Sequence, residues 1–103
     1  METQSMNELV QNIEDWAADK GIDKKENSQA QMCKVIEEVG ETASALLKGD
    51  GEKLIDGIGD SMVTLIILAK QQGFSVNDCL QTAWNEIKNR KGKTENGVFK
   101  KEA

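Results

Sequence analysis

The chain is 103 residues long, the size of one small domain, with 38% apolar residues, 30% charged residues and a formal net charge of −5. A domain this small buries only about two-thirds of the surface its unfolded chain exposes, and the acidic balance argues against general binding of a nucleic acid duplex. The absence of His excludes a Ser-His-Asp triad, a Cys-His pair and any His-containing metal site, so a metal site would be built from oxygen ligands, which suits Mg²⁺, Mn²⁺ or Ca²⁺. Cys33 and Cys79 stand in no C-x-x-C spacing and read as reduced, half-buried thiols of a cytoplasmic protein.

Residues 1–20 are polar and acidic and show no signal peptide. A first helix is predicted from about Ser5 to Lys20, with Met6, Leu9, Val10, Ile13, Trp16 and Ala17 at helical spacing and Gly21 as its stop. A second starts after Asn27-Ser28, either of which can cap it, and runs to Lys48, where Gly49-Asp50-Gly51 breaks the chain. Met32, Val35, Ile36, Val39, Ala43, Leu46 and Leu47 form its apolar face, and Gln31, Lys34, Glu38 and Glu41 a polar stripe beside it.

A third helix is predicted over about Glu52 to Gln72. Its run Met62–Ala69 is almost wholly apolar, far short of the roughly 20 residues that span a bilayer, so no membrane partner is expected. So small a chain can hardly cover that run, which predicts an oligomer. Ser75-Val-Asn-Asp78 resembles a capping box and opens a fourth helix to about Lys91, with Leu80, Ala83, Trp84 and Ile87 inward. In the tail from Gly92, Asn96-Gly97 signals a tight turn, and Val98 and Phe99 are candidates to dock it on the body.

The chemistry lies in Glu37-Glu38-Val39-Gly40-Glu41 and Asp56-Gly57-Ile58-Gly59-Asp60. Glu38 and Glu41, three apart, leave one helix face, and Asp56 and Asp60, four apart, do the same on the next. Packed antiparallel across a short connection, the two pairs would share one space, and a divalent cation would relieve their repulsion. The competing reading is a solvated acidic surface. Gly40 and Gly59, each costing about 1 kcal/mol in a helix interior relative to Ala, suggest a close approach to the backbone there.

Gln31-x-x-Lys34-x-x-Glu37-Glu38-x-x-Glu41 followed by Asp56-Gly-Ile-Gly-Asp60 resembles the MazG-like all-α nucleoside triphosphate pyrophosphohydrolases, as do Trp16 upstream and Asn85-Glu-Ile-Lys88-Asn-Arg90 downstream. The resemblance implies a single domain over residues 1–103 with an all-α, four-helix bundle-like fold, a homodimer or homotetramer. It implies Mg²⁺-dependent hydrolysis, with Mn²⁺ as an alternative ion, of an NTP or dNTP to the monophosphate and pyrophosphate. Glu38, Glu41 and Asp60 would hold the metal, and Glu37 or Glu38 would act as base. Gln31, Lys34, Asn85, Lys88 and Arg90 would contact the nucleotide, while Trp16 and Trp84 are candidates to stack on its base or to lie in the core. The family pattern is E-x-x-E, then E-x-x-D, and its third Glu falls here on Gly57. Asp56 is adjacent but projects about 100° away around the helix, and would join the ligands through a helix shift or a water. A nucleotide-sequestering relative and a ligand-free interaction module are the alternative functions.

Overall fold

The computed structural model describes residues 3–102. Helix α1 spans Met6–Asp19, α2 Ser28–Lys48, α3 Gly51–Gln71 and α4 Val76–Ile87, and an antiparallel hairpin of β1 (Gly92–Glu95) and β2 (Val98–Lys101) follows. The chain is mostly helical, as expected, and the short hairpin after α4 is an addition to the expected helices.

Local chemistry sets the boundaries. Ser5 caps α1 in a reciprocal box: its hydroxyl accepts from the Glu8 amide at 3.2 Å, and its own amide donates to Glu8 Oε1 at 3.3 Å. Asn27 holds the N-cap position of α2, as the sequence suggested, but its side chain makes no capping hydrogen bond. A 3₁₀ turn, Lys25–Asn27, leads in instead, and the Ser28 hydroxyl donates to the Lys25 carbonyl at 2.6 Å. At Ser75 the expected capping box is half formed: its Oγ accepts from the Asn77 amide at 3.1 Å, with no reciprocal bond from Asp78.

The α2–α3 hairpin is the frame of the molecule. Gly49 closes α2 at φ +68°, a left-handed conformation that any Cβ would disfavour, and Asp50 at once caps α3 by accepting from the Lys53 amide at 3.1 Å. So short a turn forces the helices antiparallel, and the cross-links follow that order: Thr42 meets Ser61 at 3.3 Å near the turn, and Gln31 donates to the Thr64 carbonyl at 3.0 Å farther up. Helices α1 and α4 both pack on α3, which makes it the central element.

The core is thin. Val10, Ala17, Val35, Ala45, Ile66, Ile67 and Ala69 are buried, yet Met62 and Leu65 of the same apolar run are over two-fifths exposed. Of the face predicted for α2, only Val35 is buried, Leu47 is 86% exposed, and Ala45, which was not assigned to that face, is buried. Trp16 and Trp84, each about half exposed, are not core residues of the single chain, and both cysteines are exposed rather than half-buried. Helix α4 stops at Ile87 instead of Lys91, and the Asn96-Gly97 turn, with both residues at positive φ, closes the β-hairpin. Val98 and Phe99 remain 61% and 51% exposed, so the apolar docking expected of the tail is not seen.

Candidate functional site

Carboxylates of both α2 and α3 line one cleft of the helix hairpin. Glu38 lies half-buried on α2, and its carboxyl is held above the ordinary value of 4.5 by burial first, then by Glu41, Asp60 and Glu37, with Lys34 acting in the opposite direction. Asp60, on the neighbouring helix, is thus close enough to Glu38 to matter electrostatically. Towards the interhelix turn, Glu41, Asp56 and Asp60 line a polar cleft of about 340 Å³ together with Ser44, Lys48, Asp50 and Lys53. Lys48 and Lys53 are site residues that the sequence reading missed. They flank the Gly49-Asp50-Gly51 break, so the turn that makes the helices antiparallel also brings two ammonium groups to the cleft.

Among the described residues, no three carboxylates are gathered tightly enough to ligate one ion. The donor chemistry nonetheless fits a hard divalent cation: the cluster offers oxygen alone, and Glu38, Glu41, Asp56 and Asp60 have no ion-pair partner among the described residues. Lys34 pairs instead with Glu37 at 3.6 Å, on the exposed side of α2.

Gly57 lines that cleft at the point where α3 packs against α2. It is buried on the α2 side of α3, and a Cβ built there would lie 2.6 Å from Thr42 Oγ1 and 3.2 Å from Thr42 Cα. The hydroxyls around it are already committed: Thr42 donates to the Glu38 carbonyl at 2.7 Å and Ser61 to the Gly57 carbonyl at 2.8 Å. Gly57 lets the two helices approach, and any side chain there would require Thr42 to shift. Asp56 is exposed and lines the cleft from the adjacent position. At Gly40 and Gly59, a Cβ would meet nothing of the chain within 4 Å, so the close approach inferred there does not come from this chain's own atoms.

The expected nucleotide contacts are dispersed. Gln31 is buried and its amide is spent on the Thr64 carbonyl, a structural role the sequence did not show. Asn85 accepts from Gln81 Nε2 at 3.0 Å and from Lys88 Nζ at 3.5 Å, while Arg90 pairs with Glu86 at 3.3 Å. These three lie on or just beyond α4 and, among the described residues, make no hydrogen bond or ion pair with the carboxylates of α2 and α3.

The acidic hairpin and the segment after it also carry a likeness to known proteins. Residues 26–94 match the MazG nucleotide pyrophosphohydrolase domain, a span that contains all of α2, α3 and α4. The chain belongs to the MazG family. It is also 39% identical over 66 residues to an uncharacterized 18.2 kDa protein from the rep-hol intergenic region of Haemophilus phage HP1, a match covering 64% of this chain and 40% of that relative. The chain therefore spans less than half of the relative's length along the match. No solved structure matches. The family match includes the acidic hairpin and the Asn85–Arg90 segment, and no helix among the described residues is long and apolar enough to cross a membrane.

Proposed function

We propose that this MazG-family chain hydrolyses a nucleoside or deoxynucleoside triphosphate between its α- and β-phosphates, releasing the monophosphate and pyrophosphate. The observation that supports this reading is the placing of Glu41 from α2 and Asp56 and Asp60 from α3 around one cleft, with Glu38 a turn away on α2 and none of the four in an ion pair among the described residues. Repulsion of that kind is a standing cost to the fold unless a cation or a cationic ligand group relieves it. Glu38, Glu41 and Asp60 would hold Mg²⁺, or Mn²⁺ in its place, with Asp56 in reach through a water. When bound, the ion would polarise phosphate oxygens and lower the pKa of a coordinated water.

The chain's own groups supply the rest. Lys48 and Lys53 in the cleft, with Lys88 and Arg90 beyond α4, would neutralise phosphate charge. Glu38, whose proton affinity is raised, suits the role of base, and Glu37 beside Lys34 is the second candidate. Water would bond to the α-phosphorus, its proton would pass to the carboxylate, and the α–β bridging oxygen would leave with pyrophosphate.

The test is to incubate the pure chain with each NTP and dNTP plus Mg²⁺, then Mn²⁺, and to analyse the products. Monophosphate with pyrophosphate is expected. Diphosphate with inorganic phosphate would refute the bond assignment. A second reading, sequestration without turnover, is favoured by Gly57, which leaves α3 one carboxylate short of the family pattern, and tight binding without products would establish it.

A further inference from the structure

The cleft beside the interhelix turn carries both signs of charge, and it carries them in order. Glu41 and Lys48 are seven residues apart on α2, just under two helical turns, so both leave one face with about 10 Å between them along the axis. Lys53 and Asp60 repeat that spacing on α3. Because the helices run antiparallel from one short turn, both lysines stand at the turn end of the cleft and both of these carboxylates at the far end.

All four side chains line the same cleft of about 340 Å³. Neither Lys48 nor Lys53 closes an ion pair with any carboxylate around it, among the described residues. Helix stability accounts for only one of the two lysines. Lys48 lies in the last turn of α2, where a cation complements the helix dipole, whereas Lys53 lies in the first turn of α3, where a cation opposes it.

Two unpaired ammonium groups at one end and unpaired carboxylates at the other fit a ligand with the same order of charge. That ligand is a divalent cation at the carboxylates with a chain of phosphates running from it to the lysines. A cation alone would leave the lysines unused, and an anion alone would face the carboxylates. Each phosphate beyond the first brings negative charge nearer to Lys48 and Lys53.

On the hydrolysis reading proposed above, we infer that Lys48 and Lys53 form the subsite for the two terminal phosphates of the triphosphate. The leaving pyrophosphate then lies toward the α2–α3 turn, and the nucleoside toward the Lys34 end of the hairpin. The substrate thereby gains a direction, and the site gains a means of preferring a triphosphate to a diphosphate, which brings less charge to the lysines.

Inorganic pyrophosphate and a nucleoside monophosphate, each with Mg²⁺, are the two probes. Both are titrated calorimetrically into the full-length wild type, Lys48→Gln, Lys53→Gln and the double variant. Each single change should raise the Kd for pyrophosphate about tenfold, the scale of one charge-assisted hydrogen bond, and the double variant should raise it further. Monophosphate binding should stay at the wild-type level, and Lys48→Arg and Lys53→Arg, which keep the charge, should recover most of the pyrophosphate affinity. Lys53→Gln should melt no lower than wild type, because the charge it removes opposes the dipole of α3, so its weaker binding cannot be laid to the fold. Unchanged pyrophosphate affinity in the double variant would overturn the inference, as would a wild type that binds no pyrophosphate. An equal loss for both probes would also overturn it, since the lysines would then serve the α-phosphate. Neither titration depends on turnover. A chain that hydrolyses triphosphates while its double variant keeps full pyrophosphate affinity loses the subsite and keeps the reaction. One that binds pyrophosphate through the lysines but cleaves no triphosphate loses the reaction and keeps the subsite.

Discussion

Glu38 titrates in the company of Glu37, Glu41 and Asp60, with Lys34 as the cation acting against them, and this sets the sign of its contribution to stability. Its carboxyl is raised above 4.5 in the fold, so the folded state holds the proton more firmly than the unfolded chain does. The resulting stabilisation is fully present below the ordinary value and is lost as pH rises through the raised one. The metal-free protein should therefore melt at a lower temperature at neutral than at mildly acidic pH through this group, and Mg²⁺ should flatten the trend. Glu38→Gln removes the charge while keeping the shape. Calorimetry should show an unchanged or higher apo melting temperature with a weaker pH slope, and product analysis should show turnover abolished. Wild-type turnover in Glu38→Gln and in Glu41→Gln would place the chemistry elsewhere. Spacing put each carboxylate pair on one face of its own helix, but whether those two faces meet or look out to solvent is decided by the packing of α2 on α3. The burial of Gln31 was not legible, because an amide serves a carbonyl or a ligand equally well and only Thr64 decides between them.

At the scale of elements, Gly57 and Thr42 govern how closely α2 and α3 pack. Helix propensity predicts that Gly57→Ala should gain about 1 kcal/mol. Against this, the new methyl would lie 2.6 Å from Thr42 Oγ1 and 3.2 Å from Thr42 Cα, and overpacking of this kind costs about 1–3 kcal/mol. The Thr42 hydroxyl cannot turn aside without giving up its bond to the Glu38 carbonyl. Denaturant unfolding should show Gly57→Ala net destabilised, Gly57→Glu more so, and Thr42→Ala recovering part of the loss in the Gly57→Ala background. A Gly57→Glu protein that is as stable as wild type and binds Mg²⁺ more tightly would instead restore the family's third carboxylate. The helices themselves were readable from apolar periodicity and glycine stops, to within a few residues at α1, α2 and α3. The fourth was drawn too long because Lys88, Arg90 and Lys91 are good helix formers, with no apolar residue after Ile87 to hold them on the body. The hairpin escaped because Gly92–Glu95 carries no strand-like alternation. It pairs because Asn96-Gly97 accepts positive φ at both turn positions, and Gly92 fits only without a Cβ, beside the Phe99 ring and the Lys100 carbonyl.

At the scale of the whole molecule, the radius of gyration is 16.0 Å, whereas a compact chain of this length has about 13 Å. We expect a dimer or tetramer, because so open a single chain leaves apolar residues of α3 such as Ile58 and Leu65 uncovered. The sequence pointed to the apolar run of α3 as the contact surface, and burial now divides that run in two. Ile66 and Ile67 are each 3% exposed and face the chain's own helices, so a charge at either should unfold the subunit rather than part the assembly. Ile58 and Leu65, 50% and 43% exposed on the same helix, are the residues to cover with a second copy. Leu65→Glu and Ile58→Glu should each weaken self-association at least tenfold, read by sedimentation velocity across a dilution series. Far-UV circular dichroism should remain helical at concentrations where the wild type is still assembled. Ile66→Glu should lose both helicity and assembly together. The contrast matters because a merely unstable fold would respond alike at all three positions. A wild type that sediments as a stable folded monomer at micromolar concentration would defeat the expectation, and the apolar surface of α3 would then need a different partner.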